Sequence, residues 1–443
     1  MRAVSLFSNC GAGDVGFRNA GFTFEVMAEL DPRRLEVCLL NHPGAFGVPG
    51  DLRETWGSVV TEWHLRHRMA RPDLLAACPP CQGMSSARSG LGDGDDAERN
   101  TKEERNLLVE VIKDVALVLL PRLIVVENVP QFLTRKVLHP DTGEKISAAN
   151  LLIQRLRTRY AAFPIIADLA DYGVPQTRRR SFLVFIDREL EVLKQLASHK
   201  RLPYPVPTHE DSQVTVKEAL QSLGLPSLTA SPYFKTKHRS SGYGGLHFVP
   251  RWDRKRFEMV RAIPKDKGGS AWENSKTVNG TKSPSAGPDD AVCPTTGEEL
   301  LRPVVLEDGQ PRLIKGFRNS AYRRMRSDAP AATITTASGH VGASRTIHPW
   351  QNRLLSPYEC MKLQTFPDDF KWGDALKKWG HSNVREMIGE AVPPHFTGLH
   401  GEVLKAILDG SIDFAALLPS TDVRHTRQMK KLEVAPTLFS TPS

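Results

Sequence analysis

Cysteine is scarce in this 443-residue chain, and long apolar segments are absent. Six cysteines are too few for the disulfide framework of a small secreted fold, so we expect a reducing compartment. No apolar run reaches the roughly 20 residues that a membrane-spanning helix needs, and the N-terminus lacks the charged-then-apolar order of a secretory signal. We therefore expect a soluble protein that is not exported, and its length allows two domains.

The positive charge of the chain is unevenly distributed. The formal net charge is +9, and residues 188–350 contain 25 Lys and Arg against 16 Asp and Glu, whereas the rest of the chain has 34 of each kind. One segment therefore carries the whole excess. Such asymmetry indicates a module that binds a polyanion, joined to a neutral body, although a solvated basic face without a partner would have the same composition.

Seven short apolar segments have the character of β-strands, and helical signals separate several of them. The predicted strands are 3–7, 23–30, 45–52, 74–78, 123–126, 165–169 and 181–186. The predicted helices are 15–20, 32–40, 103–120, 356–365 and 397–408. This alternation predicts an α/β fold with a doubly wound, largely parallel sheet, whose ligands lie at the carboxyl ends of the strands.

The pattern changes after residue 187. Five prolines between positions 203 and 232, and a Gly/Ser/Pro-rich stretch at 268–290, interrupt any helical periodicity. The predicted division of the chain is a sheet-forming segment at 1–187, a smaller loop-rich and mostly β segment at 188–352, a helical return segment at 353–412 and a flexible tail at 413–443.

A glycine-rich turn, F-S-N-C-G-A-G from Phe7 to Gly13, follows the first strand. Such a turn lets the backbone approach a ligand closely, and the helix N-terminus behind it favours polar or anionic groups. Glu29, after the second strand, has the spacing of a residue that binds ribose hydroxyls, and Asp51 could accept from an adenine amino group. These residues fit an adenosine cofactor, but they leave a dinucleotide, S-adenosylmethionine and a plain tight turn open.

The fourth strand ends at C-P-P-C, in which Cys78 and Cys81 flank two prolines. Zinc needs about four ligands, and no second C-x-x-C or paired histidine follows at a suitable spacing. The two prolines and the position of this strand within a larger sheet disfavour a redox pair. We interpret Cys78 as a buried small residue and Cys81, which the prolines direct outward, as a reactive nucleophile.

Charged side chains accompany the two strands that follow. Glu127 comes directly after 123–126, so its carboxyl group should lie beside Cys81 and could act as an acid, although a surface residue capping the next turn would look the same. Arg178 and Arg180 alternate in Q-T-R-R-R, so they share a face in an extended chain. They could hold an anion or a carbonyl oxygen there, or remain solvated.

The ordered set of motifs resembles the DNA cytosine-C5 methyltransferase family. The motifs are F-S-N-C-G-A-G from Phe7, P-C-Q from Pro80, E-N-V from Glu127, Q-x-R-x-R from Gln176, A-A-T-I-T-T from Ala331, R-L-L-S-P-Y-E-C-M-K-L-Q-T-F-P from Arg353 and G-E-A-V-P-P from Gly389. The resemblance covers most of 1–187 and 320–400. It implies a Rossmann-like S-adenosylmethionine-dependent methyltransferase fold, with a target-recognition domain at 188–352.

By this resemblance, the reaction transfers a methyl group from S-adenosylmethionine to C5 of cytosine without a metal. Cys81 would add to C6 and make C5 electron-rich, while Glu127 would bond N3 and the exocyclic amine. Arg180, with Arg178, would hold O2. The implied cofactor-binding residues are Phe7, Asn9, Gly11, Gly13, Glu29, Leu30, Asp51, Leu52, Pro80, Leu107, Glu390 and Ala391.

The resemblance also implies double-stranded DNA as the partner. Because the target atom is inaccessible inside a duplex, the base must be flipped out. We interpret the charged, Gly/Ser-containing stretch 85–106 as a mobile loop that closes over DNA, opposite the basic segment. The implied DNA-binding residues are Gln82, Ser85, Arg88, Gln176, Arg251, Arg254, Arg256, Arg323, Arg324 and Arg326.

Three features depart from the family pattern. Asn9 and Ala12 stand where glycines are usual in the first turn. Leu30 occupies a position where an aromatic ring often stacks on adenine, and Glu390 stands where an Asn is usual. These differences concern cofactor affinity rather than the chemistry of methyl transfer.

Other functions remain as alternatives. A tRNA cytosine-C5 methyltransferase would have the same catalytic residues, but the long basic segment and the absence of that family's C-F-T tripeptide favour DNA. A catalytically inactive homologue would not need Cys81, Glu127 and Arg180, and an NAD-dependent dehydrogenase would explain only the glycine-rich turn and Glu29. The chain starts almost at the first turn, so we expect a monomeric, cytoplasmic prokaryotic or phage enzyme, functionally paired with a restriction endonuclease.

Overall fold

The computed structural model describes most of the chain. The described residues are 1–80, 108–233, 238–274, 277–278, 281–282, 303–307, 310–313, 321–342, 345–422 and 425. Across these ranges, no helix combines the length and the apolar character that crossing a lipid bilayer would require.

A seven-stranded sheet forms the centre of the molecule. Its strands are β1 (Arg2–Leu6), β2 (Thr23–Glu29), β3 (Phe46–Pro49), β4 (Leu74–Ala77), β5 (Leu123–Asn128), β8 (Tyr160–Asp168) and β9 (Arg179–Asp187), and a separate hairpin contains β6 (Lys136–Leu138) and β7 (Lys145–Ser147). The order is β3-β2-β1-β4-β5-β9-β8, and only β9 runs antiparallel to its neighbours. The seven predicted strands and the largely parallel sheet are confirmed.

Helices cover both faces of the sheet. In the described part of the chain they are α1 (Ala12–Asn19), α2 (Pro32–Asn41), α3 (Leu52–His67), α4 (Leu108–Leu119), α5 (Ala148–Leu156), α6 (Val192–Ser198), α7 (Val216–Gln221), α8 (Arg254–Arg261), α9 (Pro357–Leu363), α10 (Ala375–Glu390) and α11 (Pro394–Asp409). The core on one face includes α3, α4 and α5, and the core on the other includes α1 and α11. Strands buried on both sides are expected in such a sheet.

Side-chain caps define where several helices begin. Asp31 and Asp51 accept hydrogen bonds from the backbone N–H groups two residues later, at the starts of α2 and α3. Ser356 and Glu359 form a reciprocal capping box at the start of α9. Because Asp51 begins a helix, the third strand ends at Pro49, so the strand predicted at 45–52 was too long.

A second hydrophobic core lies between Leu228 and Leu354 and includes Trp252, Phe257 and Ile347. The same stretch of the chain contains short antiparallel strand pairs, as predicted. The pairs are β11 (His238–Arg239) with β12 (Phe248–Val249), β13 (Thr277–Val278) with β14 (Thr281–Lys282), and β15 (Val304–Glu307) with β16 (Gln310–Leu313).

The predicted boundaries of the second domain and of the tail need correction. Helix α6 and strand β10 (Arg201–Pro205) pack into the core of the main sheet, and α7 packs with the return segment, so the second core starts near residue 228 rather than at 188. Strand β17 (Leu417–Pro419) pairs with β10, and Leu417 and Leu418 are buried. The chain just after residue 412 therefore belongs to the main body, and the expected flexible tail does not begin at 413.

Helices α1 and α11 approach each other closely at Gly16. A β-carbon built on Gly16 would overlap the Thr397 side chain and the backbone of Pro394. The Thr397 hydroxyl also donates a 2.6 Å hydrogen bond to the carbonyl of Gly13. This contact ties the end of the chain's return segment to the glycine-rich turn.

We predict that Gly16→Ala lowers the free energy of unfolding by about 1–3 kcal/mol, because the added methyl group has to push α1 and α11 apart. Gly57 lies inside α3 with no atom within 4 Å of the corresponding position. Gly57→Ala should therefore raise the free energy of unfolding by about 0.5–1 kcal/mol. Urea denaturation of both variants measures the difference, and equal effects would contradict the close helix contact.

Candidate functional site

A cavity lies at the carboxyl ends of β1, β4 and β5, where the glycine-rich turn meets the segment between α10 and α11. Its lining residues are Phe7, Ser8, Asn9, Ala12, Gly13, Asp14, Phe17, Ala76, Ala77, Cys78, Val125, Glu127, Phe182, Glu390, Ala391, Val392 and Thr397. The predicted acid and several predicted cofactor-binding residues therefore share one cavity, as expected for the carboxyl edge of a doubly wound sheet.

The glycine-rich turn is held in a left-handed conformation by bonds to two other segments. Phe7, Asn9 and Gly11 have φ angles of 58°, 48° and 75°. The Asn9 N–H donates to Glu29 Oε2 at 2.8 Å, and its side-chain amide donates to the carbonyl of Met387 at 3.1 Å. Asn at this position therefore adopts the left-handed backbone and adds a side-chain bond that glycine would lack.

Three charged side chains line up beside the turn. Glu29 is 7% exposed, and its two carboxylate oxygens accept from the N–H groups of Asn9 and Asp31. Burial raises the pKa of Glu29, although those N–H groups and the Arg34 charge oppose the shift. Arg34 forms an ion pair with Glu390 from the end of α10. Arg34 was not predicted as a site residue, since its partner is distant in sequence.

Glu127 lies at the end of β5 with a different partner at each oxygen. Arg180 Nε is 3.0 Å from Glu127 Oε1, and the Cys78 thiol donates to Oε2 at 2.8 Å. Glu127 is 7% exposed and faces the cavity. The structure thus brings the predicted acid and the predicted arginine together. It also corrects the interpretation of Cys78, which is only half-buried and contacts the acid.

Gln176 and Arg178 have structural roles instead. Gln176 is 0% exposed, and its amide group bonds to the backbone of Leu363 and Ile334. The Arg178 guanidinium is buried and donates to the carbonyls of Ile334, Gly389 and Ala391 at 2.9–3.0 Å. Both side chains bond to the protein itself, and the DNA contact of Gln176 and the base contact of Arg178 stay predictions.

The remaining predicted cofactor residues surround the same sheet edge. Leu30 is 65% exposed, whereas Leu52 is buried. Asp51 caps α3 and forms an ion pair with Arg53 at 2.6 Å, and the hydrogen bond from Arg53 lowers the pKa of Asp51. Leu30 thus presents an apolar surface to solvent at the position where an aromatic ring was noted as usual.

Five predicted residues lie outside the described residues. They are Cys81, Gln82, Ser85, Arg88 and Leu107. The expected loop at 85–106 lies in the same gap. Pro80, partly buried, is the last described residue before it.

The predicted DNA-binding arginines of the second domain differ in exposure. Arg251 and Arg256 are exposed, and Arg254 is half-buried. Arg326 is exposed but pairs with Asp328 through two bonds of 2.8 and 2.9 Å.

Two further arginines of this set donate to backbone carbonyls. The half-buried Arg323 donates to the carbonyl of Gly268 at 3.2 Å. Arg324 is 1% exposed, and its guanidinium donates to carbonyl oxygens of Val260, His348 and Gln351. Arg324 therefore anchors the second core, and its contact with DNA stays a prediction.

No cluster of three or more His, Cys, Asp or Glu side chains in the described ranges has the arrangement of a metal site.

Asp14 is the most unusual acid of the cavity. Burial raises the pKa of its carboxyl group to about 7, despite a 3.0 Å hydrogen bond donated by Ser5.

Comparison with known proteins gives consistent matches along the chain. The family model described as C-5 cytosine-specific DNA methylase matches residues 1–406. The type II methyltransferase M1.HgaI of Avibacterium volantium is 28% identical over 408 residues, covering 89% of this chain and 95% of that protein. The type II methyltransferase M.AgeI of Thalassovita gelatinovora is 26% identical over 466 residues, covering 92% and 100%. The solved structure of the Entamoeba histolytica methyltransferase EhMeth has the same fold, with a TM-score of 0.54, 11% identity and coverage of 93% and 99%.

The raised pKa of Asp14 predicts a pH-dependent stability. Folding favours the protonated carboxyl, so the folded chain holds a proton that the unfolded chain releases between pH 3.8 and about 7, and stability falls as the pH rises through this window. Asp14→Asn removes this contribution, up to about 1.4 kcal/mol for each pH unit. Urea denaturation at pH 5 and pH 8 should show a smaller loss in the variant than in the wild type.

Asp51→Asn provides the control for this prediction. The pKa of Asp51 is lowered rather than raised, so its contribution to stability is already complete at pH 5 and stays constant up to pH 8. A variant at Asp14 that keeps the wild-type pH dependence would show that this carboxyl remains ionised in the folded state.

Proposed function

The chain belongs to the C-5 cytosine-specific DNA methylase family and is a DNA (cytosine-5)-methyltransferase; we propose that it methylates a flipped-out cytosine within a specific duplex sequence through a covalent Cys81–C6 adduct. The observation that supports this mechanism best is the pairing of Glu127, which lines the cavity together with the glycine-rich turn, with Arg180 at 3.0 Å. An acid and a fixed cation at one sheet edge suit a base with adjacent amine and carbonyl groups.

The cavity suits S-adenosylmethionine, which supplies an electrophilic methyl group when bound. The backbone of Asn9 and Gly13 forms one wall without bulky side chains, and Glu390 and Ala391 form another. Glu29 is positioned for ribose hydroxyls, because its oxygens accept only backbone N–H groups and keep lone pairs for a ligand. Leu30 would contact the adenine by its exposed apolar surface, and Asp51 with Leu52 would flank it.

The proposed chemistry begins with addition of the Cys81 thiolate to C6 of the base. The electron pair of the C5–C6 double bond would move to C5, which would form a bond to the methyl carbon as the bond between that carbon and the cofactor sulfur breaks. Glu127 would donate a proton to N3 and accept a hydrogen bond from the exocyclic amine, so that charge on the ring is neutralised, while Arg180 would hold O2. Loss of the C5 proton to water would then restore the C5–C6 double bond and expel Cys81 as a thiolate, and N3 would return its proton to Glu127.

We further propose that the second core, between residues 228 and 354, is the target-recognition domain. It lies within the segment that carries the positive excess of the chain, and Arg251 and Arg256 are exposed on it. Phosphate contacts from such residues supply affinity, while base contacts specify the sequence. Arg254, Arg323 and Arg326 are the next candidates after these two.

A role beside a restriction endonuclease is proposed from the relatives. M1.HgaI and M.AgeI are both type II methyltransferases. The same role for this chain would protect host DNA from a cognate nuclease. The alternative substrate is tRNA. Incubation of the protein with labelled S-adenosylmethionine and either duplex DNA or tRNA shows which nucleic acid is methylated.

We predict that Cys81→Ser abolishes methyl transfer, because a serine hydroxyl is far less nucleophilic than a thiolate. Binding to duplex DNA should remain measurable, since the recognition domain is unchanged. Transfer is measured with labelled cofactor on DNA whose methylated site has been located by bisulfite sequencing. Duplexes with 5-fluorocytosine at that site should trap the wild type covalently but not the variant, and a substantially active variant would contradict the assignment.

We also predict that Arg256→Gln weakens DNA binding and reduces the slope of log K against log [salt] by about one, as expected for loss of a single phosphate contact. Arg66→Gln is the matched control, because Arg66 lies on α3 of the catalytic body and pairs with Glu62. Titrations at several salt concentrations measure both slopes. Equal slopes for the two variants would indicate that DNA does not contact Arg256.

A further inference from the structure

We propose that Cys78 is a positioning residue of this reaction, whose thiol holds the Glu127 carboxylate in the orientation that receives the base. The inference rests on the proposed function, in which Glu127 contacts the cytosine. It assigns a role to a side chain that the sequence suggested was only a buried small residue.

The two oxygens of Glu127 are held by side chains from opposite neighbours of β5. Arg180, from β9, supplies a positive charge 3.0 Å from Oε1, and Cys78, just after β4, donates a 2.8 Å hydrogen bond to Oε2. A carboxylate with a partner at each oxygen cannot rotate freely about its terminal bond.

The backbone around Cys78 is fixed from both sides, so its thiol is well positioned for this contact. The Cys78 N–H donates to the carbonyl of Leu6 in β1 at 3.2 Å. On the other side, the buried side-chain amide of Asn128 donates to the carbonyl of Pro79 at 2.9 Å. Asn128 follows Glu127 directly, so one strand end positions both the acid and the segment that carries the thiol.

Cys78 also lies at the boundary between the acid and the proposed cofactor wall. It is half-buried and lines the same cavity as Asn9, Gly13 and Ala391. Ala76 and Ala77 before it are more deeply buried, and an alanine offers no hydrogen-bonding group to the cavity. The Cys78 thiol instead directs its hydrogen to Glu127, the residue proposed to contact the base.

The central experiment compares Cys78→Ala with Cys78→Ser. The alanine removes the donor and leaves Glu127 Oε2 without this bond, whereas the serine keeps an O–H donor in nearly the same place. In single-turnover assays with labelled cofactor, we expect methyl transfer to slow about three- to tenfold in the alanine variant, as for loss of one hydrogen bond to the acid. The serine variant should keep most of the wild-type rate, and the affinities for cofactor and DNA should change less than twofold in either.

Cys360→Ala is the matched control, because Cys360 is a buried cysteine that does not line the cavity. Its rate should equal that of the wild type, and thermal melting confirms that all variants are folded. An alanine variant at position 78 with the wild-type rate would overturn the inference. So would equal losses in the alanine and serine variants, which would indicate packing rather than hydrogen bonding.

A second measurement is independent of turnover. In a Cys81→Ser background, iodoacetamide should label Cys78, and S-adenosylhomocysteine should slow this labelling severalfold, because a ligand in the cavity covers the thiol. Mass spectrometry of the peptide gives the rate. Labelling that the ligand does not slow contradicts the placement of Cys78. If the wild type methylates no DNA, the proposed function fails instead, whatever the labelling shows.

Discussion

The site depends on the antiparallel pairing of β5 with β9. In this register Glu127 lies opposite Phe182 and Asn128 opposite Ser181, so the end of β5 meets the start of β9. Arg180, next along β9, therefore reaches the Glu127 carboxylate. A slip of one residue would turn Arg180 to the other face of the sheet and separate the pair. One reversed strand in an otherwise parallel sheet thus brings an acid and a cation from distant motifs to the same edge.

The residues just before β9 also hold the return segment in place. Arg178 donates to the carbonyls on both sides of Glu390, and Gln176 reaches Ile334 and Leu363. Buried guanidinium and amide groups are costly unless all their hydrogen bonds are made, so these contacts specify one arrangement of the chain. The motif Q-x-R-x-R therefore combines two side chains that bond to the return segment with one, Arg180, that pairs with Glu127. Its alternating pattern alone did not distinguish them.

The sequence predicted the seven strands because each is a short apolar run buried on both faces. It missed α3, since only Leu52, Val59 and Trp63 of that helix are buried, and three residues over four turns give a weak periodic signal. The domain boundary was placed too early for a related reason. Proline-rich chain after residue 200 looks like loop, yet Leu202 and Tyr204 pack into the main core. The local pattern of apolar residues shows which face of a helix or strand is apolar. It does not show which distant part of the chain packs against that face.

The local sequence pattern also did not predict which acids near the glycine-rich turn form ion pairs. Glu127 and Glu390 each have an arginine, from β9 and α2 respectively, whereas Glu29 and Asp14 have only neutral donors in hydrogen-bond contact. Burial without a direct ion pair raises the pKa of the latter two. Asp14, Glu127 and Glu390 line the cavity, whereas Glu29 lies behind the glycine-rich turn and bonds to it. Carboxyl oxygens at a cavity wall can accept hydrogen bonds from the hydroxyl donors of a ligand.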